Sequence, residues 1–315
     1  MEYKRILSID GGGIKGVFPA SFLTAVEESL PTSIGSYFDL IVGTSTGGII
    51  ALGLGIGFTA REILDFYETH GSQIFGGNRL KNWVKHWGLT KYRNDALRAA
   101  LTKRFGDRLL GESRTRLVVP ALDLNKGTVH IYKTSHHEKF AFDYRERVVD
   151  VALATSAAPT YLPPYRTSSG ITLVDGGVWA NNPVGMAVVE AIGVLGWRKE
   201  QLRVLSLGCT SIPFEVGIRR KLNLGKLMWA NRVADIFMTG QSSGSLGTAH
   251  TLVGHDNVVR IDPVMPKGRY DLDKHKAIKE LCGLGRSVAR ESLPKLKGMC
   301  FFDEPAKPFQ PFRAV

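Results

Sequence analysis

Two short apolar segments near the start of the chain are each followed at once by a glycine-rich turn and a helix-forming stretch. The first covers residues 5–9 and leads into three consecutive glycines; the second, residues 40–43, leads into Gly-Thr-Ser-Thr-Gly. A strand that passes through a turn into a helix is the unit of α/β proteins, so the sequence predicts a mainly parallel sheet. Further strands are predicted at residues 116–122, 171–174, 203–207 and 257–261.

Helical patterns occupy much of the chain between these strands. They cover residues 16–30, 61–75, 95–105, 148–154, 183–195 and 274–291, and helices on both faces of the sheet would make a three-layer α/β/α fold. A length of 315 residues suits one large domain, which we expect over residues 1–300. The proline-rich end, residues 301–315, is predicted to be a tail with little regular structure.

An uncharged stretch, residues 40–60, approaches the length of a bilayer-spanning helix. Six glycines interrupt it, and a buried strand followed by a buried helix accounts for it better. The N-terminus has no apolar leader segment, so we expect cytoplasmic residence. Three cysteines without paired spacing or neighbouring histidines predict neither a disulfide nor a metal site, and no cofactor is expected.

The formal net charge of +12 favours anionic partners such as phospholipid surfaces or nucleotides. Basic residues are spread over 79–104, 219–226 and 267–279 without the interleaved aromatic residues of a nucleic-acid-binding surface, so no nucleic-acid polymer is expected. The segment 219–250 turns from basic to amphipathic. This pattern fits a lid, a lipid-docking helix or a core helix, and a core helix is favoured.

The segment Gly43-Thr-Ser-Thr-Gly47, called the elbow below, has the spacing of a nucleophile elbow. Gly43 and Gly47 permit a strained turn from strand to helix, which lifts the Ser45 hydroxyl above the sheet at a helix N-terminus. In a chain with 35 glycines the five-residue pattern alone is weak. The apolar strand before it and the small-residue helix after it favour Ser45 as a nucleophile.

The segment Asp10-Gly-Gly-Gly-Ile-Lys-Gly16, called the glycine loop below, follows the first strand. The amides of Gly11, Gly12 and Gly13 form an anion cradle in front of a helix, which in acyl transfer is an oxyanion hole. Gly11, Gly13 and Gly16 also match a dinucleotide-binding fingerprint, which expects an acidic residue at the end of the second strand. Because the elbow stands there instead, the oxyanion hole is favoured.

A third segment, Asp175-Gly176-Gly177, ends an apolar strand. An ordinary Asp-Gly turn explains it in isolation. A carboxylate leaving a buried strand accepts a proton more readily, however, and a serine nucleophile needs a base. None of the eight histidines stands in a motif that marks it as that base, and His136 and His137 lie in a charged stretch that looks like surface.

Together these three segments resemble, in order, the signature blocks of patatin-like phospholipases. The resemblance extends to 157–159 (Ala-Ala-Pro) and 181–183 (Asn-Asn-Pro), and covers roughly residues 4–210. It implies a three-layer α/β/α fold, hydrolysis of fatty-acyl esters of glycerophospholipids and a Ser-Asp dyad without histidine. Carried over by position, Ser45 is the nucleophile and Asp175 the general base. Gly11, Gly12 and Gly13 are the oxyanion donors, supported by the further motif residues Asp10, Gly16, Gly43, Gly47 and Gly176.

The segments 225–229 (Gly-Lys-Leu-Met-Trp) and 235–241, which follow the core, also resemble bacterial phospholipase effectors of cyclic-oligonucleotide anti-phage signalling. That resemblance implies an enzyme switched on by a cyclic dinucleotide and acting peripherally at the inner face of the cell membrane. Association into a homo-oligomer stays open. Two alternatives also stay open, namely a Ser-His-Asp hydrolase of water-soluble esters and a noncatalytic nucleotide-binding module.

Overall fold

The structure is a computed structural model that describes residues 2–75, 94–211, 233–266 and 277–315. Within these ranges the strands are β1 (Lys4–Ile9), β2 (Leu40–Gly43), β3 (Arg116–Asp123), β4 (Thr128–Lys133), β5 (Tyr165–Arg166), β6 (Thr172–Asp175), β7 (Leu202–Leu207) and β8 (Val258–Ile261). All six predicted strands are present. Strand β4 and the two-residue β5 were not predicted from the sequence.

The helices are α1 (Val17–Glu27), α2 (Thr46–Ile56), α3 (Ala60–Phe75), α4 (Asn94–Phe105), α5 (Val148–Thr155), α6 (Gly177–Ala180), α7 (Val184–Gly193), α8 (Val233–Val253) and α9 (Ile278–Gly298). The uncharged stretch 40–60 divides between β2 and α2, as expected. Among the described residues, no helix combines the length and hydrophobicity that a bilayer crossing requires.

The sheet runs in the order β5-β6-β3-β2-β1-β7-β8, and β4 pairs with β3 outside this path. Pairs among β3, β2, β1, β7 and β8 are parallel, whereas β4, β5 and β6 join antiparallel. Alternate residues of β1 face different cores, because Leu7 and Ile9 pack with α1, α2 and α9 whereas Ile6 packs with α7 and α8. This confirms the predicted α/β fold with helices on both faces.

One feature of β3 brings two distant segments together. On one edge Val118 pairs with Val42 of β2, and Ala121 pairs with Asp175 of β6; on the other edge both residues pair with β4. Thus β2 and β6 share an edge of β3. Since β2 is parallel and β6 antiparallel to β3, their carboxyl ends point at each other. The elbow and Asp175 therefore meet above the same strand.

The gap between β2 and β6 lies opposite Pro120, which has no amide to donate to a neighbouring strand. The Pro120 carbonyl instead accepts the Thr155 hydroxyl at 2.6 Å. The amide of Asp175 donates to the carbonyl of Ala157 at 3.0 Å. A proline in the middle of the sheet is tolerated here because the partner strand changes at this point.

The two segments after the core are packed in different ways. In α8 the C-terminal residues Ala249 and Val253 are buried, whereas Phe237 is 69% exposed. Residues 219–232 of the predicted amphipathic segment lie outside the described residues. Residues 301–315 contain no helix or strand, but Phe301 and Phe302 are buried beside Phe38.

Candidate active site

Ser45 stands between β2 and the first turn of α2, with φ 55° and ψ −121°. A side chain costs free energy in this backbone region, so the surrounding contacts must hold the turn in place. Its amide donates to Thr155 Oγ1 at 3.0 Å, the same oxygen that donates to Pro120. The side chain is 9% exposed and lies at the positive end of the α2 dipole.

The small residues of the three motifs allow backbone segments to touch. A side chain on Gly43 would collide with the Gly47 carbonyl, and one on Gly47 with the carbonyl of Ile9. In the same way Gly16 packs against Thr46, and Gly176 packs against the carbonyl of Pro120, the residue opposite the gap. These contacts bring the elbow, the glycine loop and the Asp175 turn into one cluster.

Asp175 is the last residue of β6 and is 5% exposed. Burial raises the pKa of its carboxyl group to about 6, although hydrogen bonds from the Ser45 side chain and the Gly177 amide act to lower it. The Gly177 amide donates to Oδ1 at 2.6 Å, which orients the carboxylate. Ser45 and Asp175 are thus brought together although 130 positions separate them in the chain.

The glycine loop lies directly beside the elbow, because a side chain on Gly11 would press against Ser45 Cβ and the Asn181 side chain. The amide of Gly11 donates to the Asn181 carbonyl at 2.9 Å. No described backbone hydrogen bond outside the helices and strands uses the amides of Gly12 or Gly13. Of the three expected oxyanion donors, Gly11 is therefore engaged elsewhere in this structure.

Asp10 leads into this loop and is 4% exposed. Its carboxylate accepts two hydrogen bonds from Arg260 of β8, at 2.8 and 2.6 Å. The Cys209 thiol donates to the Asp10 carbonyl at 3.3 Å. The ammonium group of Lys15, from the same loop, donates to the Thr210 carbonyl at 3.0 Å, so the loop is tied to the end of β7.

The expectation that His136 is a surface residue is wrong. Its side chain is fully buried, with Nε2 at 2.9 Å from Glu190 Oε1 and Nδ1 at 2.8 Å from Thr134 Oγ1. Lys133 Nζ binds the other oxygen of Glu190 at 2.6 Å. The charged neighbours in sequence suggested exposure, but in the segment after β4 the His136 imidazole faces Glu190 of α7. Burial lowers the pKa of His136.

Among the six histidines that the structure describes, none is recorded in a hydrogen bond with Ser45 or Asp175. The remaining two, His86 and His275, lie outside the described residues. The described part of the chain also holds no group of three or more His, Cys, Asp or Glu side chains arranged for a metal ion. The site as described is made of hydroxyl, carboxylate and backbone groups.

We expect His136→Ala to destabilise the protein by about 2 kcal/mol while leaving kcat within about twofold of wild type. The substitution leaves Glu190 with one partner fewer in a buried position, and neither His136 nor Glu190 is among the groups that act on Asp175. Urea unfolding and hydrolysis of a fatty-acyl ester would test both parts. A loss of turnover in folded protein would instead support a histidine-dependent triad.

Comparison with known proteins decides the family. The model of the patatin-like phospholipase family matches residues 7–188, more than half of the chain. The chain belongs to the patatin-like phospholipase family. It is therefore a lipid acyl hydrolase, and the alternative of a noncatalytic nucleotide-binding module is not retained.

Relatives of this family member share nearly the whole chain. It is 33% identical over 314 residues to a cGAMP-activated phospholipase of Pseudomonas aeruginosa, covering 98% of this chain and 92% of the relative. A cGAMP-activated phospholipase of Vibrio cholerae is 29% identical, with coverage of 97% and 96%. Patatin-like protein 4 of Arabidopsis thaliana is 32% identical over 213 residues, which are 60% of this chain and 53% of the plant protein.

The crystal structure of VipD from Legionella pneumophila is also similar, with a TM-score of 0.50 and 13% sequence identity, covering 94% of this chain and 67% of VipD. At this identity the similarity concerns the fold alone. It agrees with the predicted α/β architecture of patatin-like phospholipases.

The sequence motifs did not predict a role for three residues that contribute to the site. Thr155 binds the Ser45 amide, Asn181 contacts Gly11, and Arg260 holds Asp10. Asn181 stood in a segment that already resembled the family, but no role was assigned to it. Thr155 and Arg260 carry no local pattern, since their partners lie 110 and 250 residues away.

Proposed function

We propose that the chain cleaves fatty-acyl esters of glycerophospholipids through a dyad of Ser45 and Asp175. The observation that carries this proposal is the position of Ser45 beside the buried Asp175 carboxyl group, where β2 and β6 end towards each other on β3 and the Ser45 side chain acts to lower the pKa of Asp175. A nucleophile on a strained turn beside a base is the arrangement that acyl transfer requires. The family implies the same two roles at these positions.

The reaction would proceed in two balanced halves. Asp175 takes the Ser45 proton while the oxygen attacks the ester carbonyl carbon, and a tetrahedral intermediate forms. Its collapse breaks the ester bond, and the leaving lysophospholipid oxygen takes the proton from Asp175. Water then attacks the acyl-serine with Asp175 again as base, releasing the fatty acid and restoring the Ser45 hydroxyl.

The oxyanion of the intermediate would be bound by the amides of Gly12 and Gly13, with the N-terminus of α2 adding positive potential. Removing one such donor typically costs about 10²–10³-fold in turnover. Gly11 supports the cradle differently, because its amide is bound to Asn181 and so anchors the loop. Of the three glycines first expected to be oxyanion donors, Gly12 and Gly13 would therefore act as donors and Gly11 as an anchor.

A pKa of about 6 suits Asp175 for its task. The carboxylate is ionised at neutral pH and can accept a proton, yet it is more basic than an exposed aspartate. Burial is what provides this basicity, so the enclosed position at the end of β6 is part of the mechanism.

We further propose that a cyclic dinucleotide activates the enzyme and that it acts from the cytoplasm on the inner face of the membrane. Two relatives that span nearly the whole chain are named cGAMP-activated phospholipases. The net charge of +12 suits both an anionic activator and an anionic lipid surface. Activation would restrict membrane hydrolysis to the time of a signal, as anti-phage defence requires.

Purified protein incubated with phosphatidylethanolamine–phosphatidylglycerol liposomes is expected to release little fatty acid alone. Addition of the matching cyclic dinucleotide should raise release about 5- to 150-fold, the usual range of coupling between two sites. Free fatty acid is measured across a panel of cyclic dinucleotides, with their linear counterparts as controls. If no member of the panel binds the protein or changes the rate of hydrolysis, the proposed activation is wrong, while the proposed hydrolase activity stands.

A further inference from the structure

Arg260 on β8 reaches across β7 to the carboxylate of Asp10, the first residue of the glycine loop. Its Nη1 donates to Asp10 Oδ1 at 2.8 Å and its Nη2 donates to Asp10 Oδ2 at 2.6 Å. Nη1 also donates to Ser206 Oγ at 2.8 Å, and Nη2 to Asp262 Oδ2 at 2.9 Å. Strand register explains the reach, because Ser8, Ser206 and Arg260 are paired in one row across β1, β7 and β8.

The glycine loop has few other anchors, since residues 11–13 have no side chains. The Gly11 amide bonds to the Asn181 carbonyl, and the Cys209 thiol donates weakly to the Asp10 carbonyl. Gly12 packs directly against Cys209. The Lys15 ammonium group donates to the Thr210 carbonyl, and the two parallel hydrogen bonds from the Arg260 guanidinium are the ones that hold the Asp10 carboxylate itself.

We propose that Arg260 is a positioning residue for the oxyanion hole. By holding both oxygens of Asp10 it sets the direction in which the following amides of Gly12 and Gly13 point. It also neutralises a carboxylate directly behind the loop, which would otherwise repel the negative charge of the intermediate. The inference rests on the proposed function, because the oxyanion hole is part of it. Preorganised donors are effective only while such supporting contacts hold them in place.

The charges around Asp10 make this role measurable. Burial raises the pKa of Asp10 to about 6, while Arg260 and Lys15 act to lower it and Asp262 acts to raise it. The thiol of Cys209 is neutral, since burial raises its pKa. Without Arg260, Lys15 alone among these groups would stabilise the negative charge of the Asp10 carboxylate. The carboxyl group would then ionise at a higher pH, within the range of an activity assay.

Arg260→Met is expected to lower kcat by about 10²-fold with KM changed less than about threefold, because positioning acts on the transition state rather than on lipid binding. Arg260→Lys keeps the positive charge but cannot make two parallel hydrogen bonds to the carboxylate, so it should lose less activity than Arg260→Met. The Met variant should also lose activity progressively as pH rises through the ionisation of Asp10. Adding Asp10→Asn in the same chain should remove that alkaline loss, which a purely structural role would not produce.

Lys133→Met is the matched control, because it breaks another well-buried ion pair, that with Glu190, and Lys133 lies five strands away from Arg260 in the same row of paired residues. It should lower thermal stability and leave kcat near wild type. Wild type and Ser45→Ala are assayed in parallel. If wild type shows no Ser45-dependent hydrolysis, the proposed function fails. If it does, but both Arg260 variants keep kcat within about twofold, the positioning role alone is wrong.

Discussion

Ser45→Ala is expected to lower phospholipid hydrolysis by about 10⁴-fold or more, because no other group can form the acyl intermediate. Labelling by a fluorophosphonate probe should disappear at the same time. Ser29→Ala, a change at an exposed serine near the end of α1, should leave both measurements unaltered. Full turnover in Ser45→Ala would refute the dyad.

Ser45→Gly separates catalysis from backbone strain. It should be as inactive as Ser45→Ala but more stable, because glycine adopts the positive φ of 55° without the cost of about 1–3 kcal/mol that a side chain incurs. Thermal unfolding of the two inactive variants makes the comparison. Equal stability would show that the elbow stores no strain.

Asp175→Asn is expected to lower kcat by about 10³- to 10⁴-fold, because the amide cannot accept the Ser45 proton. In the wild type, kcat/KM should fall as pH drops below about 6, where protonation of Asp175 removes the base. Both are measured with a fatty-acyl ester over pH 5–9. An activity profile that stays flat down to pH 5 would exclude Asp175 as the titrating group.

The same substitution should affect stability in the opposite direction. The Asp175 carboxyl group has a folded-state pKa of about 6, above the ordinary value of 3.8, so the folded state binds the proton more tightly than the unfolded chain. Its contribution is therefore fully present below pH 4 and is lost as pH rises through 6. At about 1.4 kcal/mol per pKa unit, ionisation of Asp175 lowers the free energy of unfolding above pH 6 by at most about 3 kcal/mol, relative to its value below pH 4.

Asp175→Asn carries no such cost, because the amide stays neutral. Its advantage over wild type in urea unfolding should grow between pH 4 and 6 and then stay constant. Gly177→Ala is not a suitable control, since a Cβ at this position would press against Asp175 Oδ1. Asp107→Asn, at an exposed aspartate, is the suitable control. An Asn variant no more stable than wild type at pH 8 would show that the carboxylate is better solvated than its burial implies.

Local sequence determined the elements and turns of this protein. The elbow could be predicted because strand, glycine, serine and helix are contiguous, and the constraint that lifts Ser45 acts over five residues. The glycine loop was recognisable for the same reason. Strand β2 begins with an unbroken apolar run, and β1 and β7 are mostly apolar, as expected of parallel strands covered on both faces.

Other features depended on contacts between distant segments. His136 looked exposed because its neighbours in sequence are charged, yet its partner Glu190 lies 54 residues further along the chain. The amide of Gly11 was expected to bind an oxyanion, but the loop containing Asn181 supplies a carbonyl for it. Neither contact leaves a periodic or spacing signal.

The proximity of Ser45 and Asp175 separates what the local sequence determines from what the tertiary structure determines. Each residue could be singled out from its own turn, but nothing in either segment specifies their separation. That is decided by β3, which pairs with β2 up to Val118 and with β6 from Ala121 onward, leaving Pro120 opposite the gap. Strand pairing is a long-range choice made by backbone hydrogen bonds and core packing together, so only the folded chain brings the hydroxyl and the carboxylate to one place.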